Sequence, residues 1–100
     1  MFVFMTYDVK AERTHRFCKL LRRYLGHEQF SVFFGDLSPS EHEKLRQDLR
    51  KLMDPGDRIV EFVAENRNNL DIKLWSKDGN GDGMPKILED FRHKADTIVL

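Results

Sequence analysis

The stretch FVFMTYD, residues 2–8, decides the fold, because it predicts the central strand around which the other elements are arranged. Its side chains are apolar on both alternating faces, as in a strand that is covered on both sides. Asp8 lies where this strand ends, and the end of a central strand is a rigid place to hold a charged group. Two interpretations of Asp8 stand here: a carboxylate that helps to start the next helix, and a metal ligand.

The composition predicts one globular domain. The chain has 100 residues, of which 40% are apolar and 34% are charged, and its net charge is zero. Eight Phe are more than a core of this size is expected to hide, which favours a homodimer with an apolar face. A single cysteine, Cys18, excludes an internal disulfide and a Cys-rich zinc site. With no long apolar run and no signal-peptide pattern, we expect a cytoplasmic protein without a membrane segment.

Residues 10–26 carry a local excess of positive charge. The basic residues are Lys10, Arg13, Arg16, Lys19, Arg22 and Arg23, and the one acid is Glu12. Such an excess can bind nucleic acid although the whole chain is neutral. The alternative is a solvated helix face, which is the usual environment of Lys and Arg side chains.

Two helices are predicted. Residues 11–25 place apolar side chains on one face at helical spacing, and Gly26 would be the C-cap. The second helix begins with Ser38 as N-cap, Pro39 at the first position and Glu41 at the third, and it ends at residues 54–56.

The remaining segments predict strands and loops. Residues 27–37 form one kinked strand or two short ones, with a bulge or bend at Gly35, and residues 58–64 and 70–76 form two more strands joined by a polar hairpin loop. The order predicts one α+β domain over residues 1–100, a ferredoxin-like sandwich whose antiparallel-rich sheet carries two helices on one face. Its parts are a core over 1–76, a loop and short helix (86–93) within 77–94, and a terminal strand over 95–100 that packs on the partner subunit.

These features together resemble a known family. They are the hydrophobic first strand that closes in Tyr7-Asp8, the basic first helix, the segment Gln29-x-Ser31-Val32-Phe33-x-Gly35-x-Leu37, and the capped second helix. The chain resembles the small CRISPR-associated spacer-acquisition nucleases, the second core adaptation protein that works beside the CRISPR integrase. The likeness covers residues 1 to about 64.

The resemblance implies a ferredoxin-like homodimer in which Asp8 of both subunits holds one Mg²⁺ or Mn²⁺ ion and is catalytic. Paired carboxylates favour a hard divalent cation, which can polarise a phosphodiester and generate hydroxide near neutral pH. The resemblance also carries over Tyr7, Arg13, Arg16 and Phe33 as nucleic-acid contacts, and the basic face of the first helix adds Lys19 and Arg23. The implied partners are double-stranded DNA, RNA and the CRISPR integrase.

The implied function is CRISPR adaptation: the dimer binds duplex DNA, bridges the integrase, and acts as a metal-dependent endonuclease on RNA or DNA. One alternative is a toxin-like ribonuclease of similar fold without an integrase partner. Another is a dimeric regulatory domain that binds a small molecule, although such a domain rarely needs a basic first helix.

A second motif competes for a metal. Asp78, Asn80, Asp82 and Glu89 fit the spacing of a calcium-binding loop, with Gly83 at the turn. A strand-like segment precedes this motif where such loops have a helix, so a Gly/Asp-rich linker is the favoured interpretation. His15, His42 and His93 have no metal-ligand spacing and are interpreted as surface residues.

Overall fold

The computed structural model describes residues 1–76 and 86–88. Its main sheet and its two α-helices are β1 (Phe2–Asp8), α1 (Thr14–Leu21), β2 (Gly26–Gln29), β3 (Val32–Asp36), α2 (Pro39–Leu52) and β4 (Arg58–Ala64). Two short strands, β5 (Leu74–Ser76) and β6 (Lys86–Leu88), form a separate two-stranded antiparallel sheet.

The main sheet confirms the predicted architecture. Its strand order is β2-β3-β1-β4, and every neighbouring pair is antiparallel. β1 is therefore central, as the apolar pattern of residues 2–8 predicts. The two α-helices follow β1 and β3, and both pack on the same face of the sheet. This is the α+β sandwich of ferredoxin-like type.

The two faces of the sheet differ in how well they are covered. On the helix side, Val3, Met5 and Tyr7 of β1 lie in the main core with residues of both helices. On the other side, Phe2 and Phe34 are buried beneath Leu70 and Ile72. Beyond Leu70 and Ile72, no side chain from outside the sheet packs on this face toward the Asp8 end of β1 among the residues with described side chains. The large apolar side chains exposed there are Val60 and Phe62.

Helix α2 begins as predicted. The Ser38 hydroxyl accepts a hydrogen bond from the backbone N–H of Glu41, and the Glu41 carboxylate accepts one from the N–H of Ser38. This reciprocal capping box satisfies two donors that the first turn would otherwise leave unpaired. Leu45 and Leu49 then bury the apolar face of the helix in the core.

Helix α1 is shorter than predicted. A 3₁₀ helix over Ala11–Arg13 precedes it, and it ends at Leu21, after which the backbone tightens through hydrogen bonds from Arg23 to Leu20 and from Tyr24 to Leu21. Gly26 is not a C-cap, because it pairs with Phe34 in the sheet. Strand pairing thus ends the helical segment earlier than its apolar spacing suggests.

The segment 27–37 is two strands, and the break between them is not at Gly35. The chain turns at Phe30, whose φ of 43° is the one positive value among the described non-glycine residues. An irregularity lies between His27 and Gln29 of β2. Gly35 is buried inside β3, where a Cβ atom would lie 3.6 Å from the Leu25 side chain, an ordinary contact.

The chain after β4 differs from the prediction. Residues 65–69 do not join two paired strands, since Arg67–Asn69 is a 3₁₀ helix and β5 pairs with β6 instead of β4. Lys86–Leu88, placed in a short helix by the sequence, is a strand because it pairs with Leu74–Ser76. The predicted terminal strand over 95–100 lies outside the described residues. Within the described residues, neither α1 nor α2 has the length and apolar content needed to cross a bilayer.

Candidate metal and nucleic-acid site

The Asp8 side chain is exposed at the last position of β1. Side chains alternate along a strand, so Tyr7 faces the helices and Asp8 shares the opposite face with Thr6. No side chain in residues 1–73 bonds to the Asp8 carboxylate. Asp8 caps neither following helix, whose N-cap residues are Lys10 and Arg13 without side-chain cap bonds. Its role as a helix-starting residue is therefore not supported, and its role as a metal ligand stays a prediction.

Arg58 is a candidate site residue that the sequence analysis missed. It is the first residue of β4 and lies directly opposite Asp8 in the antiparallel register. The two residues border a crevice of about 220 Å³, together with Thr6, Tyr7 and Val60. The matching apolar lengths of residues 2–8 and 58–64 were the available signal, because pairing them end to end puts Arg58 beside Asp8.

A larger pocket adjoins Asp8 on the side of the α1 N-terminus. It measures about 500 Å³ and has mostly apolar walls. Its lining residues are Tyr7, Asp8, Val9, Thr14, His15, Cys18, Phe30 and Ser31. Asp8 thus stands between this pocket and the crevice at Arg58.

Tyr7 and Phe33, two predicted nucleic-acid contacts, lie in the core of the protomer. The Tyr7 ring contacts the rings of Phe17 and Phe33, and its hydroxyl donates to the Thr14 carbonyl at 3.4 Å. Burial raises the pKa of Tyr7, and the nearby Cys18 adds to the effect. These two residues support β1 from the helix side, and their contact with nucleic acid stays a prediction.

Arg13 is held by acids of the loop between α2 and β4. Its Nη2 lies 2.8 Å from Asp57 Oδ2 and donates to the Leu52 carbonyl at 2.8 Å, while its Nη1 lies 2.8 Å from Asp54 Oδ2. The hydrogen bond to Asp57 raises the pKa of Arg13. The guanidinium therefore ties the start of α1 to this loop. Its predicted contact with nucleic acid stays a prediction.

The other predicted basic contacts share one groove between α1 and α2. Arg16 and Lys19 are exposed on α1, and Arg23 is exposed in the turn that follows it. Lys51 of α2 forms part of the facing wall, and Asp48 is the acid in the lining. The groove measures about 510 Å³. His15 lines both this groove and the pocket at Asp8, so the two sites adjoin one another.

One protomer offers a divalent cation only part of a site. Across the residues with described side chains, no three His, Cys, Asp or Glu side chains are grouped as metal ligands. Asp8 nevertheless has the chemistry of a Mg²⁺ ligand, since its carboxylate is exposed and no donor of residues 1–73 bonds to it. The residues fit such a cation if a second copy, water or phosphate completes the coordination. The predicted calcium motif, Asp78 to Glu89, has its ligands outside the described residues.

Comparison with known proteins identifies the family. The model of the family described as CRISPR associated protein Cas2 matches residues 1–72. Two relatives, both named CRISPR-associated endoribonuclease Cas2, come from Haloferax volcanii and Thermotoga maritima. The Haloferax volcanii protein is 41% identical over an alignment that covers 71% of this chain and 83% of its own length. The Thermotoga maritima protein is 33% identical over an alignment that covers 83% of this chain and 97% of its own length.

Solved structures agree with this match. A crystal structure of Cas2 superposes with a TM-score of 0.70 at 32% identity, covering 84% of this chain and 95% of its own. The crystal structure of Streptococcus pyogenes Cas2 superposes with a TM-score of 0.59 at 28% identity, covering 69% of this chain and 93% of its own. The resemblance seen in the sequence is confirmed, and this chain belongs to the Cas2 family of CRISPR-associated proteins.

Proposed function

We propose that this protein is a dimeric, metal-dependent endonuclease of CRISPR adaptation that also binds duplex DNA and bridges the CRISPR integrase. The observation that carries the proposal is the exposed carboxylate of Asp8, to which no described side chain bonds, at the end of the central strand. The two relatives are named endoribonucleases, and this supports RNA as the substrate of cleavage.

The open face of the sheet supports the dimer. Phe62 is 54% exposed and Val60 is 48% exposed, although both lie on a sheet face that is buried at its other end. Phe4 contacts Phe62 edge to face, with ring centroids 5.6 Å apart. A contiguous apolar patch of this kind favours an association surface. A second copy on this face would place both Asp8 side chains at the same interface, as the family resemblance implies.

The metal site then follows from the pair of Asp8 carboxylates, with Mg²⁺ or Mn²⁺ as the proposed cofactor. A bound divalent cation would supply Lewis-acid polarisation of the phosphodiester and a hydroxide nucleophile at neutral pH. This chain supplies the carboxylate, held at a rigid strand end. Arg58 adds a positive charge beside it, suited to the phosphate on which the reaction occurs.

The groove between α1 and α2 supports the binding of nucleic acid. Arg16 and Lys19 of α1 and Arg23 in the turn after it have exposed side chains, and none forms an ion pair among the described residues. Such cations release counterions when they neutralise phosphates. The bridging of integrase subunits rests on the family resemblance, and co-elution of the purified dimer with its integrase tests it.

The binding experiment measures duplex DNA affinity at several salt concentrations. Three substitutions together, Arg16→Gln, Lys19→Gln and Arg23→Gln, should flatten the slope of log affinity against log salt by about 2 to 3 units. The matched control also removes three exposed cations, through Lys44→Gln and Arg50→Gln on α2 and Lys73→Gln beyond β4. If both triple variants bind as the wild type does, the groove is not the duplex-binding surface.

A further inference from the structure

Phe30 is the most exposed large apolar side chain among the residues whose side chains are described. It lies in the turn between β2 and β3, and 89% of its surface is accessible. An aromatic ring this exposed gains nothing from the hydrophobic effect in the isolated protomer. Its backbone has a φ of 43°, a left-handed conformation that bulky residues rarely adopt. A residue that is both strained and exposed suggests a functional constraint.

His27 and the buried Phe33 hold the turn at Phe30 in place. The His27 ring stacks on the buried Phe33 ring, with centroids 4.2 Å apart and an interplanar angle of 9°. His27 Nε2 lies 2.7 Å from the carbonyl oxygen of Phe30, which can only accept, so Nε2 carries the proton and donates. Nδ1 on the other side of the ring lies 3.8 Å from the Cys18 sulfur. The core thus fixes the Phe30 backbone and presents its ring outward.

The surroundings of the ring combine apolar surface with charge. Phe30 lines the pocket at Asp8, whose walls are mostly apolar. Through His15 this pocket adjoins the groove that holds Arg16, Lys19 and Lys51. An occupant must therefore have a flat apolar part for the ring and an anionic part for the neighbouring cations. A nucleotide has both, because every base has a π-face and is attached to a phosphate.

We propose that Phe30 stacks on an unpaired nucleobase, while the phosphates that follow it lie in the groove between α1 and α2. This inference rests on the proposed function and adds a base-contacting residue: the Phe30 ring would face an unpaired nucleotide, in a single strand or at a duplex end. An apolar protein segment would suit the ring but would leave the adjoining cations unmatched. A base stacked on Phe30 brings the phosphate at its sugar into the pocket that Asp8 lines, where cleavage is proposed.

The test measures the affinity of a fluorescently labelled single-stranded RNA for the full chain. Phe30→Asn removes the ring but suits the positive φ, because Asn tolerates the left-handed region. It should weaken binding by about 5- to 150-fold. Phe30→Trp keeps an aromatic face and should bind about as the wild type does. Val63→Ala, an exposed apolar position at the other end of the sheet, is the control for non-specific effects.

An abasic scan of the oligonucleotide separates stacking from an effect on the turn. Removing the base at one position should lower wild-type affinity to the level of Phe30→Asn and leave the variant unchanged. Equal losses for both proteins at every position would overturn the proposal. So would wild-type affinity of Phe30→Asn, or a monomeric state of that variant, which would make Phe30 a subunit contact. Weakened binding by Arg16→Gln with Lys19→Gln would still support the proposed function, whereas no binding by the wild type would refute both.

Discussion

Asp8 and Arg58 lie directly opposite each other across the β1–β4 pair, at the end where both strands meet the crevice. Opposite residues on one face have Cβ atoms about 5 Å apart. Neither side chain forms an ion pair with the other in the described structure. A carboxylate and a guanidinium that stand side by side without bonding are both available to a third group. We infer that Asp8 is available to a cation and Arg58 to a phosphate.

Arg58→Gln should therefore reduce cleavage by about tenfold, because hydrogen bonds to charged groups contribute about 1.5–3 kcal/mol and this site is exposed. The slope of log affinity against log salt should fall by about one unit, which corresponds to the loss of one phosphate contact. Initial rates of RNA cleavage measure the first effect, and RNA affinity at two salt concentrations measures the second. Arg50→Gln is the matched control, an exposed arginine on α2 whose partner is Glu43. Equal rates for the two variants would remove Arg58 from the site.

His42 should be important for stability, contrary to its interpretation as a surface residue. It is 6% exposed, and its Nε2 lies 2.8 Å from Glu61 Oε2, which joins α2 to β4. His42→Ala leaves the Glu61 carboxylate with one partner fewer and should lower the free energy of unfolding by about 1–3 kcal/mol. His15→Ala, on the exposed side of α1, should change it by less than about 0.5 kcal/mol. Urea denaturation measures both, and similar values would contradict the prediction.

The dependence of stability on pH should carry a contribution from Glu61. Burial raises the pKa of Glu61, but hydrogen bonds from Arg46 and His42 outweigh it, and the pKa lies below its ordinary value. A carboxyl with a lowered folded-state pKa stabilises the fold above its unfolded pKa of about 4.3, and this is lost as pH falls through the folded pKa. The free energy of unfolding should therefore fall less steeply with decreasing pH in Glu61→Gln than in the wild type. Denaturation measured between neutral and acidic pH gives both curves.

Glu28 should behave in the opposite way. Burial raises its pKa, and its Oε2 is a buried side-chain oxygen without a hydrogen-bond partner in the described structure. A raised pKa means that the folded state favours the protonated form, so the group lowers stability as pH rises through its unfolded pKa. Glu28→Gln should stabilise the protein at neutral pH and have little effect below pH 4, in the same denaturation series. Destabilisation at neutral pH would show that the charged form is needed.

The dimer should depend on the open face of the sheet. Phe62→Glu puts a charge in the patch with Phe4 and Val60 and should convert the dimer to monomer, with loss of cleavage because the two Asp8 side chains separate. Val63→Glu is a close control, because Val63 is the adjacent residue, is 47% exposed, and pairs with Val3 on the helix side. Light scattering after gel filtration gives the mass of each. Dimers of both variants would place the interface elsewhere.

The sequence predicts those elements whose conformation is determined by residues that lie close together in the chain. Residues 2–8 identify a central strand because their apolar side chains need cover on both faces. Ser38 and Glu41 mark the start of α2 because their hydrogen bonds span three residues. The segment Lys86–Leu88 was assigned to a helix because its strand conformation depends on pairing with residues 74–76, which is not visible locally.

The sequence predicts only those residues of the site whose position depends on their near neighbours in the chain. Asp8 follows directly from the strand, and the cations of α1 follow from helical spacing. Arg58 becomes a neighbour of Asp8 only through the β1–β4 register. Phe30 falls within the segment 27–37 that the sequence assigns to strand, and its exposure depends on the turn that His27 stabilises. His42 became buried because β4 supplies Glu61 as its partner.

Asp8 as the metal ligand of a nuclease is tested most directly by comparing the wild type with Asp8→Asn. Cleavage of labelled RNA and duplex DNA is measured with Mg²⁺ or Mn²⁺ and with a chelator, and binding of both nucleic acids is measured in parallel. We expect the wild type to cleave only with metal, and Asp8→Asn to lose cleavage by about 100-fold or more while it retains binding. Metal-dependent cleavage by Asp8→Asn at the wild-type rate, or cleavage by neither protein, would contradict this expectation.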